Sequence, residues 1–190
     1  MDKYQCFTEL AACEERGKDY DFDIRLRTDS RVAIIAPHGG GIEPETSSIA
    51  EQISEVGFSL YCFKGLKPRG NRDLHITSHN FDEPECLALV ANHEWVVAIH
   101  GCAEVGERVL LGGLDKALIA DLSAALTEAG IPAETTGHSY AGEHQRNICN
   151  RGLRNAGVQF EISLPFRRSI KVLLFVKVVQ SVLVRQNNAA

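Results

Sequence analysis

Short, continuous apolar runs alternate along this chain with longer segments whose apolar positions recur every three to four residues. The runs are VAIIA (32–36), FSLYCF (58–63), WVVAIHG (95–101), RVLLGG (108–113) and VQFEIS (158–163). Their length and β-branched content predict buried strands. LHITS (74–78) predicts a further short strand, in which His75 alternates with Leu74 and Ile76. Between the runs, ETSSIAEQISEVG carries Ile49, Ile53 and Val56 at helical spacing, with Pro44 in its first turn and Gly57 as its stop. Pro84 opens a short helix, PECLALVANH. Leu114, Leu118, Leu122, Ala125, Leu126 and Ala129 form one helical stripe closed by Gly130-Ile131-Pro132. AGEHQRNICNRGLRNAG is polar and predicts a helix and a loop. The last apolar segment, SIKVLLFVKVVQSVLVRQNN, has strand-like composition but helix-like length, and a packed helix is expected. Lys171, Lys177 and Gln180 interrupt it, so it is not expected to span a membrane.

Strands alternating with helices indicate an α/β fold with a mostly parallel sheet. A length of 190 residues suits one domain, taken as residues 1–190, with a core thick enough for three layers. In such sheets ligands bind beyond the carboxyl ends of the strands. Here three strand ends carry polar groups: His38 after VAIIA, His100 after WVVAI and Glu161 within VQFEIS.

Composition narrows the partners. Hydrophobic residues make up 44% and charged residues 24%, as in ordinary globular proteins. The formal net charge of -5 argues against nucleic acid, whose phosphates need a dense basic face. The first residues, MDKYQCFTELAACEERGKDYDFD, lack a basic-then-apolar signal pattern, so a cytoplasmic location is expected. Six scattered cysteines without a CxxC pair predict reduced, mostly buried thiols rather than a disulfide framework or a cysteine zinc site.

The candidate chemistry lies in APHGGGIEPET. Two neutral imidazoles and one carboxylate form the usual donor set of a catalytic zinc, with a fourth position left for water. His38 and Glu43 flank three glycines, Gly39, Gly40 and Gly41, which let the backbone fold back so that both side chains face one centre. His100, from a neighbouring strand end, completes a set for one Zn²⁺. Glu161 then serves as the general base and later as proton donor to the leaving amine. Taken singly, His38 could cap a strand and Glu43 could charge a helix N-terminus. The combination with His100 favours the metal.

Two other readings of the glycine loop are weaker. As an esterase oxyanion loop, HGGG would need a nucleophile, and GHSYA (137–141) is only a near miss for G-x-S-x-G. After Ser139 the only histidine is His144, with Glu143 the only acid between them. As a phosphate loop, GGGIE lacks both the following Lys-Ser/Thr and the G-x-G-x-x-G spacing.

The segments APHGGGIEPETSSIA, FKGLKPRGNRDLHITSHNFDEPECLALV, VVAIHGC, LLGGLD, NICNRG and GVQFEIS occur in series from about residue 19 to 163. Together they resemble the poly-γ-glutamate hydrolase family of phages and bacteria, whose fold is similar to the zinc carboxypeptidases. The resemblance implies a three-layer α/β/α fold, zinc at His38, Glu43 and His100, and Glu161 as catalytic carboxylate. It also implies that Asn150 and Arg151 bind substrate, since carboxypeptidase-like sites hold a carboxylate with an Asn-Arg pair and a guanidinium fork matches it bidentately. The chain departs from the family in carrying Glu45 where Gly is common, which makes Glu45 a rival ligand to Glu43. The His-to-Glu spacing is also longer than in the carboxypeptidases, and the segment after Ser163 is compact.

Among the remaining histidines, His79 ends LHITS and is a candidate substrate contact. His75 is expected to be a hydrogen-bonded structural residue, His93 a helix-end cap, and His138 and His144 solvent-facing. Lys64, Lys67, Arg69 and Arg72 form a basic loop that could steer a polyanion. The expected function is therefore a zinc-dependent amide hydrolase acting on γ-glutamyl linkages of an anionic glutamate polymer or a small carboxylate-bearing amide. The alternatives are a non-catalytic carboxypeptidase-like binding protein, with a structural zinc closed by Glu45 or Cys102, and a serine esterase.

Overall fold

The computed structural model describes residues 2–188. Its elements run α1 (Phe7–Cys13), β1 (Tyr20–Arg25), β2 (Val32–Gly40), α2 (Thr46–Ser54), β3 (Ser59–Gly65), α3 (Pro84–Val90), β4 (Trp95–Cys102), β5 (Val109–Gly113), α4 (Lys116–Glu128), β6 (Ala133–Glu134), β7 (Val158–Ser163), α5 (Leu164–Arg167) and α6 (Lys171–Asn188). Two single 3₁₀ turns, Asn71–Leu74 and Ile148–Arg151, lie in the long loops.

The strands form one seven-stranded sheet in the order β1-β3-β2-β4-β7-β5-β6. Four neighbouring pairs are parallel and two, β1–β3 and β5–β7, are antiparallel. Alternation along the central strands divides the interior in two. Val32, Ile34 and Ala36 of β2, with Val97 and Ile99 of β4, face the core shared with α2, α4 and α6. Ala33, Ile35, Val96 and Ala98 face the core on the other side, with Leu10 of α1 and Cys86, Leu89 and Val90 of α3. Continuous apolar runs are what a strand covered on both faces requires. The result is the expected three-layer α/β/α arrangement.

The C-terminal segment is a helix. Val172, Phe175, Val176, Val179, Val182 and Leu183 are buried and repeat at helical spacing. Phe175 packs edge-on against Phe160 of β7 and Phe166 of α5. Burying each such side chain is worth about 1.5–3 kcal/mol, enough to override the β-branched composition. Asp115 caps α4 by accepting from the Leu118 amide, and Glu83 caps α3 by accepting from the Glu85 and Cys86 amides. None of the described helices is long and apolar enough to cross a membrane.

LHITS differs from expectation. Leu74 closes a 3₁₀ turn, residues 75–77 belong to no helix or strand, and a turn follows at 78–80, so this is no strand of the sheet. Side chains replace the ladder: the Thr77 amide donates to Asp2 Oδ2 at 2.6 Å. The sequence reading also missed α1, the edge strand β1 and the short α5.

Two features of the sheet position the site. The chain leaves β2 toward β3 on one side and returns to β4 on the other, so the strand order reverses between β2 and β4. Pairing of β2 with β4 ends at Ile35↔Ala98, and the two strands separate beyond it. Pairing of β2 with β3 slips between Ala36↔Cys62 and Gly39↔Lys64, which is a bulge at Pro37-His38. A bulge adds one residue and re-aims the side chain that follows.

Candidate functional site

His38 emerges from the bulge, Glu43 from the loop after β2, and His100 from β4. His38 Nδ1 lies 3.1 Å from His100 Nδ1 and 3.4 Å from Glu43 Oε1, and His100 Nδ1 lies 3.8 Å from Glu43 Oε2. Zinc ligands at about 2.0–2.1 Å from the ion sit a little over 3 Å apart in a tetrahedron. These separations match that spacing.

The glycine loop makes this possible. Gly40 has φ +61°, and a Cβ there would come within 2.5 Å of the Gly65 carbonyl. The loop is pinned internally: the Gly40 amide donates to Ser47 Oγ, that of Gly41 to the Gly65 carbonyl, and that of Glu43 to the His38 carbonyl. The amides of Gly40, Gly41 and Glu43 are thus engaged within the protein, which counts against their serving as an oxyanion hole in the esterase alternative. Glu43 is tied to β4 by the Gly101 amide, which donates to Oε2 at 2.8 Å. Glu45, the rival ligand, is exposed and faces away, beside Arg167.

Electrostatics follow from burial. Burial opposes ionisation of Glu43, but His38, His100 and the Gly101 amide outweigh it and hold the carboxyl at about 2. Burial likewise opposes protonation of His38, yet Glu43 and the Ile76 carbonyl raise its pKa above the ordinary value. His100 is pushed down to about 3 by burial and by the neighbouring His38. Its Nε2 is buried without a hydrogen-bond partner. His38 Nε2 donates to the Ile76 carbonyl at 2.8 Å, which leaves the neutral ring's lone pair on Nδ1, facing the cluster. One carboxylate and two imidazoles that present nitrogen toward one point suit a zinc ion.

The cluster opens onto a cavity of about 430 Å³ whose lining includes His38, Glu43, His75, His79, His100 and Glu161. Glu161 accepts from Gln159 Nε2 at 3.1 Å. Its carboxyl is pushed well above the usual range, first by burial and then by Glu43, against the pull of Arg167. A buried carboxyl so displaced is suited to proton transfer. His79 lines the same cavity, its ring 4.8 Å from that of His144, and Arg72 lines it too.

Asn150 and Arg151, expected to bind substrate, are not among the residues that line the cavity. Asn150 Nδ2 donates to the Gly142 and His144 carbonyls, and its Oδ1 accepts from the Leu114 and Gly157 amides. A side chain so engaged braces the loops and has nothing left for a substrate. Arg151, next along the same 3₁₀ turn, is exposed. His75 is the residue the sequence reading missed. It lines the cavity, and one ligand atom each of His38, Glu43 and His75 lie within 4.8 Å of one another. The assumed strand hid it, because alternation assigned its side chain a structural place. His93 is structural as expected, bonded to the Leu89 carbonyl at 2.7 Å and Ser59 Oγ at 2.8 Å. All six cysteines are free, and four are buried.

The chain is similar to several known proteins in sequence and in fold. The sequence profile of a family described as poly-gamma-glutamate hydrolase matches residues 4–188. The UPF0714 protein YndL of Bacillus subtilis (strain 168) is 42% identical over 171 residues, covering 89% of this chain and 67% of that protein. This chain spans 61–72% of the length of the curated relatives it matches. The structure of a bacteriophage poly-gamma-glutamate hydrolase superposes with a TM-score of 0.93 at 29% identity, covering 98% of each chain. The apo, zinc-free form of YndL superposes with a TM-score of 0.91 at 36% identity, covering 98% of this chain and 99% of that one.

Proposed function

The chain belongs to the poly-gamma-glutamate hydrolase family, and we propose that it is a zinc-dependent amide hydrolase cleaving γ-glutamyl linkages in an anionic glutamate polymer. The observation that carries this reading is the convergence of His38 Nδ1, His100 Nδ1 and the Glu43 carboxylate, 3.1–3.8 Å apart, on the cavity that Glu161 lines. A zinc ion held by His38, Glu43 and His100 supplies a Lewis acid for the scissile carbonyl and for activating water.

The chain's own residues do the rest. Glu161 takes a proton from the attacking water as its oxygen bonds to the carbonyl carbon. It returns that proton to the amine nitrogen as the carbon–nitrogen bond breaks. Burial and Glu43 raise its pKa, which favours a carboxyl that can take up a proton and hand it on. Gln159 orients it by donating to Oε1. A γ-linked polymer keeps one free α-carboxylate on each unit. Arg72 and His79 on the cavity wall are suited to holding these anions.

The test is stoichiometric metal analysis of the purified protein, followed by assay on γ- and α-linked oligoglutamates with wild type and Glu161→Gln. One zinc per chain, turnover of the γ-linked substrate, and loss of about 10²–10⁴-fold in kcat for the variant with zinc retained are expected. Zinc retained with no turnover of either substrate by wild type would instead favour a binding protein with a structural metal.

A further inference from the structure

We infer that the cation site has a fourth donor, His75, and that Asp2 selects the nitrogen His75 presents. The inference rests on the zinc reading above and goes beyond the His38, Glu43 and His100 set.

His75 Nδ1 donates to Asp2 Oδ1 at 2.8 Å. The other oxygen of Asp2 accepts from the Thr77 amide at 2.6 Å and the Thr77 hydroxyl at 2.5 Å. The carboxylate is therefore fixed on both sides, and it holds the His75 proton on Nδ1. The lone pair is left on Nε2, which stands 4.0 Å from Glu43 Oε1. The His75 ring lies over that of His38, centroids 4.0 Å apart and planes 31° apart. His38 is built the same way, its outer nitrogen tied to the Ile76 carbonyl and its inner one facing Glu43. Two imidazoles with outer N–H groups bound to acceptors thus turn their lone pairs to one carboxylate. Acceptors converge in this way around a cation, and an acceptor behind the ring is the usual support of a metal-bound histidine.

Two histidines of the same protein sharpen the contrast. His93 is a structural histidine, and protein groups engage both of its nitrogens. His100 Nδ1 lies 3.1 Å from His38 Nδ1, yet among the described residues its Nε2 has no partner. A carboxylate of the protein backs His75, as expected of a metal-bound histidine. At 4.0 Å from Glu43, His75 sits slightly outside the spacing of a tight tetrahedron and fits a longer contact. Catalytic zinc can expand to five-coordinate, so four protein donors still leave a place for substrate.

The test uses the chain of residues 1–190 without a tag. Zinc affinity is measured by competition with a chromophoric chelator, and the visible spectrum of the Co²⁺ form is recorded, for wild type, His75→Ala, His75→Gln and Asp2→Asn. Thermal melting in chelator reports whether each variant folds. His75→Gln can keep a donor toward Asp2 and so stands in where Ala loosens the loop. The His75 variants are expected to bind zinc about 10–100-fold more weakly and to change the intensity of the Co²⁺ d–d bands. Asp2→Asn is expected to weaken zinc binding by about 10-fold. Wild-type affinity in folded His75 variants overturns the inference and leaves the zinc reading standing. Weakened affinity with an unchanged Co²⁺ spectrum also overturns it, because His75 then acts only on the loop. Wild type that binds no zinc overturns the zinc reading and this inference with it.

Discussion

At the scale of single residues, the protonation of the cluster sets a measurable pH dependence. His38 has a pKa raised above 6.5, so it carries a proton below that point that zinc must displace. Glu43, at about 2, and His100, at about 3, are already deprotonated there. One proton should leave on binding, and zinc affinity should rise about tenfold per pH unit until His38 is neutral, then level off. Calorimetry in buffers of differing ionisation enthalpy measures the proton count, and a count of zero below that point would contradict this assignment. The sequence could place His38 and His100 near each other because each closes an apolar run and a parallel sheet gathers such ends; the structure adds that both line one cavity with Glu43 and Glu161. The place of His75 on that cavity was not legible, because its ring is held by Asp2, 73 positions away. The bracing of Asn150 was not legible either, because its four backbone partners belong to loops that only the fold brings together.

At the scale of elements, Glu45 stands at the entry to α2 with φ 75°, in the left-handed region that favours glycine. The sequence resemblance places Gly commonly at this position, and the backbone gives the reason. A left-handed side-chain residue costs about 1–2 kcal/mol, partly offset by the unfolded-state freedom that glycine brings. Glu45→Gly should therefore raise stability by about 0.5–1 kcal/mol, a melting shift of about 1–4 °C, with kcat unchanged. A lower melting temperature would mean that the exposed carboxylate beside Arg167 matters more than the backbone. Buried parallel strands and the stripe of α4 were readable because their apolar patterns are long. LHITS failed because five residues of strand-like composition do not say whether a neighbour is there to pair with. β1 was missed because YDFDIR is a half-exposed edge strand, whose polar positions dilute the apolar signal.

At the scale of the whole molecule, the N-terminal segment is fastened across the lower core. Glu14 accepts from Tyr4 Oη at 2.5 Å and pairs with Lys67 Nζ at 2.5 Å and Lys3 Nζ at 3.2 Å. Burial would raise its carboxyl, but Lys67, Tyr4 and Lys3 together hold it at about 2. A carboxyl lowered on folding stabilises the protein above its unfolded value near 4.5, and that stability is lost as pH falls toward 2. Glu14→Gln should cost about 1.5–3 kcal/mol at neutral pH and flatten the acid limb of the stability curve, as denaturant titration from pH 2 to 7 would reveal. An unchanged acid limb would assign that limb to other carboxylates. The three layers were visible from the alternation of runs and stripes. This fastening was not, since it joins residues that only the finished fold brings together.

The two margins of the sheet also matter for how molecules of this protein meet. β6 is only two residues long, and β1 carries Asp21 paired with Arg16 and Asp23 paired with Lys64. Neither margin offers a second molecule a long, uncharged row of amides and carbonyls to extend. Crowded solutions of the folded chain should therefore resist growth into fibres, even though the sheet's inner strands are among the most apolar stretches of its sequence.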